Sequence, residues 1–171
     1  MKKFFKYTAI TLVILVLVFL SLGVFSPGFS FQNKVIVDKP LSESFMKFID
    51  PTRMKDWIPG YKDLTWISGF PMTPGSKWKI IVMKDGKNYE IEETLIDMKM
   101  RELFAFHLSN SVLESDVFIH FKAMGNRTEI LVDNKVKGKN MIWRSLFVFF
   151  RGSFPAIQQE TYDNLKKSIE K

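Results

Sequence analysis

The side chains able to do chemistry in this 171-residue chain are few, and their spacing narrows the choice. There is no cysteine, which removes disulfides, thiolate metal sites and thiol nucleophiles together. His107 and His120 are the two histidines. Without cysteine and without an H-E-x-x-H spacing they assemble no zinc site, so no metal is expected. His107 is out of phase with Phe104, Phe106 and Leu108, and His120 with Val117, Ile119 and Phe121, so on strands both would face outward. Glu90, Glu92, Glu93 and Asp97 crowd one segment. At alternate strand positions Glu90 and Glu92 share a face, as a carboxylate pair for acid–base work would, but a solvated face balancing nearby lysines accounts for them more simply. Ser109, Ser111 and Ser115 lack the G-x-S-x-G context of a nucleophile elbow, and no Walker loop or dinucleotide G-x-G-x-x-G is present. No catalytic constellation and no cofactor are therefore expected. Arg144 and Arg151, seven apart on a helical pattern among aromatic residues, are the polar candidates. They suit either an anchor for a carboxylate or lipid head group, or surface arginines whose stems lie over apolar area.

The elements that must position these residues follow from periodicity. Tyr7 to Phe25 carries no charge and as a helix spans roughly 28 Å, close to the hydrocarbon thickness of a bilayer. Lys2, Lys3 and Lys6 precede it, which by the positive-inside rule keeps the N-terminus cytoplasmic and sends the remainder across. A cleaved secretory signal is the competing reading, with Ser21 and Gly23 as small residues before a cut. The length of the apolar run, the absence of A-x-A and the bulk of Val24 and Phe25 favour a retained anchor. The expected organisation is a basic N-terminus over 1–6, a membrane helix over 7–25, a linker over 26–30 and one domain over 31–171.

Within the domain, 29–37 reads as a strand. An amphipathic helix follows Pro40, with Leu41, Phe45, Phe48 and Ile49 at helical spacing. Asp50-Pro51 then caps a second short helix. Strands are expected at 62–68, 77–84, 88–98, 101–109, 112–123 and 127–136, with Asp85-Gly86 as a hairpin turn. From Asn140 to Glu170 the pattern is helical, and Pro155 kinks it after Gly152-Ser153. Strands joined by tight turns make an antiparallel sheet. The fold class is α+β: seven antiparallel strands on a long C-terminal helix, preceded by one transmembrane helix.

Net charge is +7, or +4 without the three N-terminal lysines, which suits a solvated surface or an anionic membrane surface. With no concentrated basic stripe, no nucleic acid is expected as a partner.

This order of elements resembles the helix-grip fold of the START-like (SRPBCC) superfamily, which includes birch-pollen-allergen-like and polyketide cyclase/dehydrase-like proteins and a membrane-anchored bacterial subset. VDKPLSESFMKFID resembles its strand, proline and first helix, and PTRMKDWIPGYKDLTWISG its second helix and next strand. PGSKWKI resembles the glycine-led entry to the third strand, and NLKKSIEK the end of the final helix. The resemblance implies a cavity between sheet and C-terminal helix for an apolar small molecule or lipid. Residues of matching phase would line it: Trp78, Ile80 and Val82; Phe104 and Phe106; Val117, Ile119 and Phe121; Ile130 and Val132. From the helix come Trp143, Phe147 and Phe150. The apolar stripe from Met141 to Phe154 is wider than one core-facing side requires, so this stretch would line the cavity, touch the bilayer or pack on the second short helix. A membrane-tethered binding module is the leading expectation. An enzyme with Tyr89, Glu92 or His107 as polar residue, and a module binding a protein partner, are the others. Oligomeric state is not encoded in any pattern here.

Overall fold

The computed structural model describes residues 2–171. Its first element, α1 (Lys2–Phe25), is 24 residues long, so about 36 Å, and most of its apolar side chains are exposed. It leads within two residues into β1 (Gly28–Val37). Then come α2 (Leu41–Ile49), a 3-10 turn (Pro51–Arg53) and α3 (Met54–Trp57). Asp50 caps that turn, its carboxylate accepting from Thr52 N at 2.9 Å, with Pro51 at the first position. Six strands follow: β2 (Tyr61–Ser68), β3 (Lys77–Lys84), β4 (Lys87–Lys99), β5 (Leu103–Ser109), β6 (Leu113–Met124) and β7 (Arg127–Gly138). At the β3–β4 turn Asp85 and Gly86 both take positive φ, 50° and 73°, as a tight hairpin with the right twist requires. At the β5–β6 turn Asn110 Oδ1 accepts from Val112 N and Leu113 N.

The seven strands form one antiparallel sheet in the order β1-β7-β6-β5-β4-β3-β2. Only the pairing of first and last strands is non-sequential, and α2 and α3 occupy the β1–β2 connection that crosses the sheet's inner face. The predicted C-terminal helix is present but stepped: α4 (Met141–Phe150), a 3-10 turn (Arg151–Ser153) and α5 (Phe154–Glu170). Pro155 accounts for the break, since it cannot donate to the preceding turn and suits the first turn of a new helix.

The core lies between the inner sheet face, α2 and α5, and includes Val37, Phe45, Ile130, Val132, Leu165 and Ile169. Phe45 and Phe48 of α2 meet Phe121 with ring centroids 5.0 and 5.2 Å away. Both ends of α5 are held by polar contacts. Near its start Asn33 Nδ2 donates to Pro155 O and Gln159 Oε1, each at 2.8 Å. At its end Lys47 Nζ donates to Ile169 O at 2.7 Å and Arg53 donates to Ser168 O. Cations at the carbonyl end of a helix satisfy orphan acceptors and complement its dipole.

Candidate functional site

The inner sheet face is built in rows set by strand register. One row runs Trp66, Trp78, Glu93, Leu108, Ser115, Val136 and Phe29 across all seven strands. The next runs Leu95, Phe106, Val117, Asn134 and Phe31. Most positions are apolar, yet Glu93, Ser115 and Asn134 are buried among them, and Tyr162 reaches the same region from α5.

Glu93 is 9% exposed, and its carboxylate accepts from the Trp78 indole Nε1 at 2.6 Å. Burial pushes its pKa up to about 7, against which the Trp78 hydrogen bond pulls down. Burial also raises Tyr162, and the nearby Glu93 charge adds to that rise. The Tyr162 hydroxyl reaches Gln158 Oε1 only at the long limit of 3.5 Å. It stands beside Asn134, whose amide N and O both lack a hydrogen bond of good geometry. Ser115 Oγ, Ser76 Oγ and Trp57 Nε1 are likewise buried without partners. Each unpartnered group costs about 1–3 kcal/mol, so several around one face call for an explanation. Chemically these groups, spread over β4, β6, β7 and α5 on one face, offer an acid that titrates near neutrality, a serine hydroxyl, an amide that both donates and accepts, and a phenol.

The expected lining residues fall as follows. Trp78, Ile80, Phe104, Val117, Ile119, Phe121, Ile130 and Val132 are all buried on the inner face, and Val82 and Phe106 are half-buried against them. Along most of its length this face is filled by these side chains and the helices over them. Hollows instead open elsewhere: one of about 760 Å³ at the sheet end includes Val82, Tyr89, Glu92 and Lys139. Another, of about 460 Å³, lies over the outer face beside His120 and Asp133. The α4 residues meet the Glu93 row at its Phe29 end, four strands from Glu93. Phe147 packs edge-on to Phe29 and Phe154, Trp143 lies tilted on Phe147, and Phe150 is exposed. Arg144 Nε donates to Gly138 O at 3.0 Å, and Arg151 is exposed. Both border a narrow gap with Ser26, Pro27 and Phe29.

Tyr89, Glu90 and Glu92 are exposed, and Lys79 pairs with Glu90 at 3.0 Å, as a solvated face would have it. His107 contacts Asp116 at 2.7 Å and His120 lies 3.5 Å from Asp133, both outside the core. Among the described residues no group of three or more His, Asp or Glu is placed to hold a metal ion. The sequence pattern places Glu93 in an acidic segment without marking it out from Glu90 and Glu92, and it does not mark out Asn134. The available signal was phase: Glu93 shares a strand face with Ile91 and Leu95, and Asn134 with Val132 and Val136, so each is a polar residue in an apolar register.

Similar architectures occur among solved structures. A conserved protein from Geobacillus kaustophilus superposes with a TM-score of 0.67 at 13% identity, over 82% of this chain and 95% of the other. The protein Ara h 8.0201 superposes with a TM-score of 0.63 at 13% identity, over 83% and 97%. The chain has the START-like, helix-grip fold. DynU16, a protein in the dynemicin biosynthetic locus, shares that START-like fold at 19% identity and a TM-score of 0.57, over 82% of this chain and 45% of DynU16. No protein-family model matches the sequence. No curated relative matches it.

Proposed function

We propose that this START-like domain binds or carries an apolar small molecule or lipid that has one hydrogen-bonding end, and that α1 tethers it to a membrane. The observation that carries the reading is the set of buried polar groups on an otherwise apolar sheet face, Glu93 with the unpartnered Ser115 and Asn134. An apolar ligand with a hydroxyl, carbonyl or carboxyl end would supply the missing partners while its body replaces packed side chains. Register supports access from the bilayer. The Glu93 row includes Phe29, four residues beyond the end of α1, so the polar cluster lies at the linker end of the sheet. In that row Leu108 is half-buried and Trp66 is 40% exposed, which makes this side the less tightly covered. The N-terminus would be cytoplasmic and the domain outside, from the lysines that precede the uncharged run from Tyr7 to Phe25.

Native mass spectrometry of the full-length chain, released from membranes of its host, tests this. An apolar species retained at defined stoichiometry, and lost from Leu108→Trp while thermal unfolding is unchanged, supports carriage. A chain that emerges empty and takes up no lipid from vesicles overturns it.

A second reading has one specific observation behind it. A carboxyl poised near neutrality in an apolar site is suited to general acid–base catalysis, as a cyclase- or dehydratase-like enzyme would use. In that case the ligand found in wild-type protein would be chemically altered relative to the one retained by Glu93→Gln.

A further inference from the structure

Helix α4 meets α1 backbone to backbone. Gly23 N donates to Ser145 Oγ at 3.0 Å, and Ser145 Oγ reaches Leu20 O at 3.5 Å. A Cβ on Gly23 would lie 2.5 Å from Met141 O, so only glycine permits this approach. The last turns of α1 are thus packed as part of the domain. At 100° per residue Arg144 of α4 and Arg151, the first residue of the following 3-10 turn, fall on one side, where they border Ser26–Phe29. Ile142, Leu146, Phe149 and Phe150 fall on the opposite side. Three of these are open: Ile142 56% exposed, Phe149 63% and Phe150 57%. A large apolar arc left uncovered on a surface helix marks an interaction site.

The geometry points to α4 as a second membrane contact, an interfacial helix whose Ile142, Phe149 and Phe150 enter the acyl region beside α1. This rests on the reading of α1 as a retained span. Two features select lipid as the occupant. The arc adjoins the exposed apolar surface of α1, so a bilayer that surrounds α1 meets α4 without a break. The arginines stand on the linker side, where head-group phosphates would lie, which is the polarity of an interfacial amphipathic helix. The domain is then fixed against the membrane by two elements rather than swinging on a linker.

The chain lacks cysteine, so single nitroxide labels can be placed cleanly. Full-length Phe149→Cys and, separately, Ile142→Cys are labelled and reconstituted in phosphatidylcholine vesicles. Val16→Cys in α1 and Asp163→Cys at an exposed position of α5 serve as references. Collision with oxygen, enriched in lipid, is compared with collision with a water-soluble nickel chelate. Both arc sites should favour oxygen several-fold, as Val16 does, while Asp163 favours nickel. Arc sites that behave like Asp163, with Val16 in lipid, overturn the proposal and leave the anchor standing. Arc sites shielded from both reagents also overturn it, since a protein then covers the arc. Val16 in water overturns the anchor reading, and this proposal with it.

Discussion

At the scale of single residues, Glu93 carries the most consequence. Its carboxyl has lost water and gained only the Trp78 indole, so burial wins and the pKa rises from 4.5 to about 7. Between those values the folded chain holds a proton that the unfolded chain has released. Stability therefore falls as pH rises from about 4.5 to about 7 and is level above, where both states are ionised. The loss is on the order of 3 kcal/mol. Glu93→Gln keeps an acceptor for Trp78 and cannot ionise. Its stability by chemical denaturation should match wild type near pH 4.5 and exceed it at pH 8, and parallel curves at both pH values would refute a buried acid. Asp50 and Glu129 act at the other end of the scale. Thr52 and Lys34 respectively hold their pKa values below the ordinary carboxylate range, so their contribution is present above that range and lost as pH falls through the folded values.

At the scale of elements, each helix is placed by a few specific contacts. The α5 carbonyls accept from Lys47 and Arg53, and Arg53 also keeps a buried Nε without a partner. Removing the guanidinium leaves Ser168 O unmet. Arg53→Met should cost about 1–3 kcal/mol, read as a lower denaturation midpoint, with the sheet's circular dichroism unchanged in the native state. The α1–α4 contact is steric rather than polar in its main demand. Gly23→Leu forces the two backbones apart and should lower thermal stability by about 1–3 kcal/mol, the range of overpacking. An unchanged melting temperature in detergent would mean that α1 and α4 are not packed together in solution. The step at Arg151–Ser153 lets α4 serve α1 while α5 serves the sheet; an unbroken helix would have to serve both along one axis.

At the scale of the whole molecule, the inner face joins two requirements, a core that holds the sheet on α5 and, in the proposed function, polar groups that meet a ligand. Phe45 belongs to the first, fully buried where α2 packs on Phe121. Phe45→Ala should cost about 3–5 kcal/mol by calorimetry, and a loss below 1 kcal/mol would show that the helices over the sheet are loosely packed. Ser115 and Asn134 belong to the second. Replacing both with alanine removes polar atoms that have no partner, so thermal stability should hold or rise while ligand retention in native mass spectrometry falls.

Hydrophobic periodicity and turn chemistry in the sequence determined the element order. The alternation in 77–84 and 127–136, the Asp85-Gly86 turn and the capping pair Asp50-Pro51 are local signals, and local geometry decides them. The apolar run ending at Phe25 and the surplus of apolar residues in Met141–Phe150 were equally legible, because hydropathy is carried residue by residue. What covers that surplus was not. The pairing of β1 with β7, the approach of Gly23 to Ser145 and the meeting of Tyr162 with Asn134 join residues far apart in the chain, and no local rule fixes such distances. Burial followed the same division. Glu93 has the phase of Ile91 and Leu95, but it stands in an acidic segment whose pattern reads as solvated; only packing over the inner face removed its water and moved its proton toward neutral pH.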